Sequence, residues 1–126
     1  MVKALVTGGT GFLGAHIARQ LVAAGHQVRV LRRATSRTDL IADLPLEHAL
    51  GDVTDAASLR AAAQGCAWLF HTAAVADYWR AARAKLYQVN VEGTRNALEA
   101  AQAAGVERVI FTSSAAAVGR RADGSP

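Results

Sequence analysis

Three observations predict an α/β chain built around a parallel sheet. A strand-like run, Val2 to Thr7, feeds directly into closely spaced glycines and then into a helical pattern. Glycines 25, 65 and 105 recur at intervals of 40 residues, each closing an alanine- and leucine-rich helical stretch and each followed by a short apolar strand. Helices that separate successive strands act as crossovers, and crossovers of this kind make the strands parallel and the connections right-handed. The repeat is too long, and its intervening segments too different, for a solenoid.

Taken in order, the first strand leads into a helix carrying Leu13, Ile17 and Leu21 on one face, which ends at Gly25 as a left-handed cap requires. The second strand is Gln27 to Arg32. Ala34 to Pro45 reads as a loop with a short helical turn, before a weaker third strand at Leu46 to Leu50. Thr54 or Asp55 caps a helix that runs to about Gln64, and Ala67 to His71 forms the fourth strand. The longest helix spans about Ala82 to Ala104, with an apolar stripe through Leu86, Val89, Gly93, Ala97, Ala100 and Ala104. Asn90 falls against that stripe, and a buried carboxamide needs partners, so it either ties down a neighbouring loop or serves a site. Arg108 to Thr112 is the fifth strand, and the tail from Arg120 to Pro126 has no regular pattern.

Length and composition bound the class. A chain of 126 residues closes one core and leaves no room for a second full domain. With 52% apolar and 19% charged residues, and no apolar run near the ~20 residues a membrane span needs, a globular protein without a membrane segment is expected. The start lacks the charge and cleavage pattern of a signal peptide, so the cytoplasm is the expected location. Cys66 is the only cysteine; it excludes an internal disulfide and reads as a small core residue. A net charge of +4 and a pI near 10 raise the question of nucleic acid. The arginines, however, are scattered, with only Arg32/Arg33 and Arg120/Arg121 adjacent, and no aromatic strand face accompanies them. A small basic site for a phosphorylated ligand accounts for the same charge.

The glycine run names that ligand's class. Gly9, Gly11 and Gly14 spell GxGxxG, and Gly8, Gly11 and Gly14 spell GxxGxxG. In either spacing the first glycine allows a sharp turn with positive φ, the second lets the backbone approach a pyrophosphate, and the third lets helix and strand pack closely. The unpaired amides at the start of the next helix then face the anion. Thr7, Gly8, Gly9, Thr10, Gly11, Phe12, Leu13 and Gly14 are therefore candidate contacts to a dinucleotide; a glycine-rich turn without a ligand is the other reading. Metal ligands are not expected.

Several motifs in order carry a family resemblance: the run from Tyr87 to Asn96 (YQVNVEGTRN), the run from Gly105 to Ser114 (GVERVIFTSS) and Arg121 to Pro126 (RADGSP). Over its whole length the chain resembles the extended short-chain dehydrogenases/reductases, the NAD(P)-dependent epimerase/dehydratase group. Within that group it is most similar to the dihydroflavonol-4-reductase-like branch and the hopanoid-associated sugar epimerases. The resemblance implies a Rossmann-type doubly wound sheet in the order 3-2-1-4-5, incomplete at its C-terminal side, with residues 1–126 as the NAD(P)-binding portion.

The resemblance also distributes roles. An acidic residue about 20 positions past the glycines ordinarily meets a free ribose 2′-hydroxyl, but here the strand ends Leu31-Arg32-Arg33. Two guanidiniums can fork onto a 2′-phosphate, so NADP is expected over NAD, with Arg33 as the phosphate-binding arginine and Arg32 or Arg37 assisting. A solvated charge pair is the alternative. Asp52 and Val53 match the family's adenine contact, and His71, Thr72, Ala73 and Ala74 match the stretch along the nicotinamide ribose, with His71 structural and not an acid or base. Thr112, Ser113 and Ser114 end the fifth strand, where Ser114 best matches the hydroxyl that bonds the reacting oxygen, with Ser113 as its fallback and as a backbone contact to the cofactor; the plain alternative is a turn-satisfying serine pair. Asn90 matches the helix asparagine thought to hold an ordered water or a kinked backbone near the active site.

One family element is missing. Its proton donor is a tyrosine four residues before a lysine, whose ammonium lowers a phenol pKa of about 10. Tyr78 and Tyr87 are followed at that distance by Ala82 and Val91, and Lys3 and Lys85 are the only lysines. In related sequences that pair lies some tens of residues past the equivalent of Pro126. The chain is therefore expected to be an N-terminal portion of a larger enzyme, inactive alone, with the substrate reached through the C-terminal part and a homodimer left open. The parent is read as an NADP-dependent sugar-nucleotide epimerase or ketone/aldehyde reductase; a non-catalytic dinucleotide sensor or scaffold is the alternative.

Overall fold

The computed structural model describes residues 1–77, 79–119 and 121–125; Tyr78, Arg120 and Pro126, read above from sequence, lie outside the described residues. Five parallel strands form one sheet: β1 (Lys3–Thr7), β2 (Gln27–Arg32), β3 (Glu47–Leu50), β4 (Trp68–His71) and β5 (Arg108–Phe111). Their order is β3-β2-β1-β4-β5, the doubly wound order expected from the resemblance. The order reverses at β1, so the crevice between the C-terminal ends of β1 and β4 is where such a sheet accepts a ligand.

Alternating side chains divide the core into two faces. Ala4 and Val6 of β1 join Val28 and Val30 of β2 under α1 (Phe12–Ala23), through Ala15, Ala18 and Leu21. Leu5, Leu31 and Leu69 point the other way, against α2 (Ala56–Ala63) and α4 (Gly93–Ala104). Leu5, Leu59 and Leu69 are almost completely buried, and each stabilises the fold by about 2 kcal/mol. Cys66 belongs to the same apolar cluster, and burial pushes its thiol pKa up. Among the described residues no helix is long and apolar enough to cross a membrane.

The long helix expected over Ala82 to Ala104 is interrupted. It begins as α3 (Arg83–Tyr87), passes through a π-type turn at Gln88–Glu92, and continues as α4. The pattern of buried positions survives the interruption, since Val89, Gly93, Ala97 and Ala100 are buried as one stripe. Periodicity alone does not register one extra residue in a turn, and such turns recur at functional sites. Asp55, not Thr54, caps α2, accepting from the backbone N–H groups of Ala57 and Ser58. The irregular segment after β2 holds one 3₁₀ turn, Asp39–Ile41, tied to α1 by Arg19, which donates to both Asp43 oxygens.

On the sheet face that packs against α2, Arg29 joins three elements. Its Nη1 donates to the carbonyls of Ala62 and Gln64 at 2.6 and 2.8 Å, where α2 ends, and its Nε donates to Glu47 at 2.8 Å. Lys3 and Arg29 together hold the Glu47 carboxyl below the usual carboxylate range. Replacing Arg29 with Met keeps the apolar stem but strands the two carbonyls. Urea unfolding of Arg29→Met is expected to show a loss of about 1–2 kcal/mol; an unchanged midpoint would show that water satisfies the end of α2 equally well.

Candidate functional site

The turn between β1 and α1 assigns each glycine a separate job. Gly8 has φ +69°, and a Cβ there would lie 2.6 Å from Thr72 Oγ1 and 2.8 Å from the Ala73 nitrogen. Gly9 is pressed against Val30, and Gly14 lies against the backbone of Gly8, with no room for a Cβ at either position. Gly11 differs: a Cβ would meet only the Gly8 carbonyl oxygen, at 3.4 Å. The spacing Gly8, Gly11, Gly14 is the one whose members meet in space, since Gly11 N also donates to Gly8 O at 3.1 Å. Gly11 is the N-cap of α1 with no side-chain cap, leaving the amides of the first helical turn facing outward.

Beside this turn lies a cavity of about 280 Å³ lined by three further segments. Leu31 and Arg32 end β2, with Arg33 and Ser36 beyond it; after β3 come Gly51, Asp52 and Val53, and after β4, Thr72 to Val75. Gly8, Thr10 and Gly11 form the end near the helix, and Lys85 and Val89 close the side opposite. Val53 is held from behind, because Asn96 Nδ2 donates to its carbonyl at 2.9 Å and Gly93 packs against its side chain. Asp52 Oδ1 accepts from both the N–H and the hydroxyl of Thr54 at 3.0 Å.

Of the residues proposed from sequence, Gly8, Thr10, Gly11, Arg32, Arg33, Asp52, Val53, Thr72, Ala73 and Ala74 line this cavity together. Thr7 and His71 do not; they are buried behind it, at 0% and 1% exposure. Gly9 and Gly14 shape the turn from inside, while Phe12 and Leu13 lie on the outer face of α1, with Phe12 76% exposed and edge-on to His16. Thr112, Ser113 and Ser114 are exposed beyond β5, and Ser114 Oγ accepts from the Ala116 N–H at 3.2 Å. Arg37 is turned away to Asp39. Sequence reasoning passed over Ser36, Val75, Lys85 and Val89 as site residues; the spacing of Lys85 and Val89 on one helical face was the available signal.

A chain of buried and partly buried hydrogen bonds supports the cavity lining. Asn90 grips Val75 at both backbone atoms, Oδ1 accepting from its N–H at 2.8 Å and Nδ2 donating to its carbonyl at 3.0 Å. Of the two roles the sequence left open for this side chain, the structure shows the loop tie. Thr94 donates its hydroxyl hydrogen to the Asn90 carbonyl at 2.7 Å, so its oxygen accepts from His71 Nε2 at 3.1 Å. That fixes the His71 tautomer: Nε2 carries the hydrogen and Nδ1 accepts from the Thr7 hydroxyl at 2.7 Å. The Thr7 oxygen then has both lone pairs for the N–H groups of Thr72 and Ala73, at 3.2 and 3.3 Å.

Burial pushes the His71 pKa from its ordinary 6.5 down to about 4, so at pH 7 the ring is neutral and carries only its Nε2 hydrogen. In the unfolded chain the imidazole binds a proton below its ordinary value, whereas the folded one resists until about pH 4. Stability therefore falls as pH descends through that window, by about 1.4 kcal/mol per unit and about 3 kcal/mol in all. A His71→Gln variant is expected to be about 1–3 kcal/mol less stable at pH 7, with a shallower loss between pH 6.5 and 4 in urea unfolding. An acid slope equal to the parent's would assign the pH dependence elsewhere.

Comparison with known proteins agrees with this geometry. The family model of the 3-beta hydroxysteroid dehydrogenase/isomerase family matches residues 5–126. A provisionally named dihydroflavonol 4-reductase of Synechocystis sp. is 50% identical over 119 residues, 94% of this chain and 34% of that protein. Among solved structures, gox2253 has a TM-score of 0.87 at 46% identity, covering 100% of this chain and 38% of that one. UDP-glucose-4-epimerase from Stenotrophomonas maltophila, solved with bound NAD and formylated UDP-arabinopyranose, has a TM-score of 0.83 at 26% identity, covering 97% and 40%. The chain thus spans about a third of the length of the relatives it matches. Glycine turn, switch-point crevice and near-complete family match converge: the chain belongs to the 3-beta hydroxysteroid dehydrogenase/isomerase family.

Proposed function

We propose that this chain is the nucleotide-binding portion of an NADP-dependent oxidoreductase that moves a hydride at a carbinol or ketone carbon, as a sugar-nucleotide epimerase or a ketone/aldehyde reductase. The observation that carries the reading is Gly11: bare backbone at an uncapped helix N-terminus, where a Cβ would make a single 3.4 Å contact while one at Gly8, Gly9 or Gly14 would clash. A pyrophosphate fits that space because the outward amides and the positive end of α1 favour an anion. Arg32 and Arg33 in the same cavity suit a further phosphate, and no carboxylate at the end of β2 stands ready for a free 2′-hydroxyl.

The remaining residues divide the work. Val53, Val75 and Val89 give an apolar wall for adenine, and Asp52 keeps one oxygen able to accept from its exocyclic amine. When bound, the nicotinamide supplies the hydride chemistry. Thr72 to Ala74 present backbone and small side chains along the ribose next to it. Ser114, beyond the end of β5, accepts from Ala116 and keeps its hydroxyl hydrogen for a substrate oxygen. Asn90 acts through Val75 as a positioning residue.

Two titrations test this reading. Gly11→Val places a branched side chain beside the Gly8 carbonyl, at the helix end proposed to seat a pyrophosphate. NADPH binding followed by fluorescence is expected to weaken by about 100-fold or more, with little change in the thermal midpoint; intact binding would remove the phosphate seat from Gly11. Arg33→Ala is expected to lower NADPH affinity about tenfold or more while leaving NADH affinity unchanged. A parent protein that prefers NADH, with the preference surviving Arg33→Ala, would overturn the choice of NADP.

A further inference from the structure

The two adjacent arginines at the end of β2 are not equivalent. Arg32 is committed across the sheet edge: its Nε donates to His48 Nδ1 at 2.9 Å and its Nη1 to the Arg33 carbonyl at 3.3 Å. Arg33 lines the same cavity, is exposed, and has no ion-pair or side-chain hydrogen-bond partner among the described residues. Its backbone, by contrast, is fixed by a tight turn. Ser36 N donates to the Arg33 carbonyl at 3.0 Å, and Arg33 N donates to Ser36 Oγ at 3.0 Å.

That second bond determines what the Ser36 side chain has left. Its oxygen is an acceptor for Arg33 N–H, and its own hydroxyl hydrogen has no acceptor among the described residues. Ser36 is half-buried and lines the cavity beside Arg33. A donor of this kind, lining the same cavity as a guanidinium without a partner among the described residues, matches the oxygens of a phosphomonoester.

We infer that Ser36 is a specificity-determining residue for the 2′-phosphate, donating its hydroxyl hydrogen to a phosphate oxygen gripped by Arg33 while Arg32 holds the floor of the site. The inference rests on the NADP reading above. It adds a residue that discriminates between the two cofactors by hydrogen bonding, without charge of its own. The turn also couples the two functions, since the bond that shapes the backbone at Arg33 orients the hydroxyl that meets the ligand.

Adenosine 2′,5′-bisphosphate and adenosine 5′-monophosphate differ only at the 2′ position, so calorimetric titration of the protein with both isolates this contact. The parent is expected to bind the bisphosphate more tightly, and Ser36→Ala to reduce that preference about tenfold. Ser36→Asp is the sharper variant, because its carboxylate still accepts from Arg33 N–H and keeps the turn, yet offers no donor and repels a phosphate. It is expected to lower bisphosphate affinity about 30-fold or more with monophosphate affinity nearly unchanged, and Ser36→Thr to restore the parental ratio. An unchanged ratio in Ser36→Ala and Ser36→Asp would overturn the role of Ser36, as would an equal loss of both ligands in Ser36→Asp. A parent without any preference for the bisphosphate would instead overturn the NADP reading itself.

Discussion

The fold and its site meet at the close approach of two strand ends, where β1 and β4 turn outward at Thr7 and His71. Parallel strands release their backbone groups at such a point, and buried amides left without partners cost more than the bonds they lose. One threonine resolves most of this. Its hydroxyl donates to His71 and accepts from two successive N–H groups, while its carbonyl accepts from the Thr72 hydroxyl at 2.6 Å. The chain after β4 is thereby held against the glycine turn after β1, and the space between those segments is the cavity. Among the described residues, no buried side-chain nitrogen or oxygen lacks a partner.

From this junction the support extends to the far wall of the site. His71 passes the constraint to Thr94, Thr94 to the backbone of Asn90, and Asn90 to Val75. The π-type turn belongs to the same arrangement, since it lies where the helix must offer Val89 to the cavity, Asn90 to the loop and Thr94 to His71. A neutral histidine suits this role better than a charged one. Its single N–H and single lone pair give the chain a direction, which an imidazolium with two donors would break.

The glycine turn shows how much of a motif's length is spent on packing. Gly8, Gly9 and Gly14 are required by close packing against Thr72, Val30 and the turn itself; only Gly11 has space that the protein does not fill. Three glycines therefore make the bend that presents the fourth. The arginine pair divides in the same way, one side chain spent on the scaffold and the other left for the cavity.

The strand-helix alternation, the parallel sheet and the caps at Gly25, Gly65 and Gly105 were legible in the residues themselves, while the sheet order and most cavity-lining residues came from the family resemblance of the motifs. They depend on periodicity, on turn chemistry and on motif spacing, all of which act over a few neighbouring positions. The tertiary structure decided the rest. Thr7 and His71 stand behind the site and not in it, Asn90 is spent on Val75, Ser36 and Lys85 face the cavity, and the long helix contains a π-type turn. Apart from Ser36, which a tight turn ties to Arg33, each of these is fixed by a partner 15 or more residues away, or by the fit of one element on another. Local pattern specifies which residues form a strand or a turn, but only closure of the sheet determines which polar atoms are already paired and which remain for a ligand.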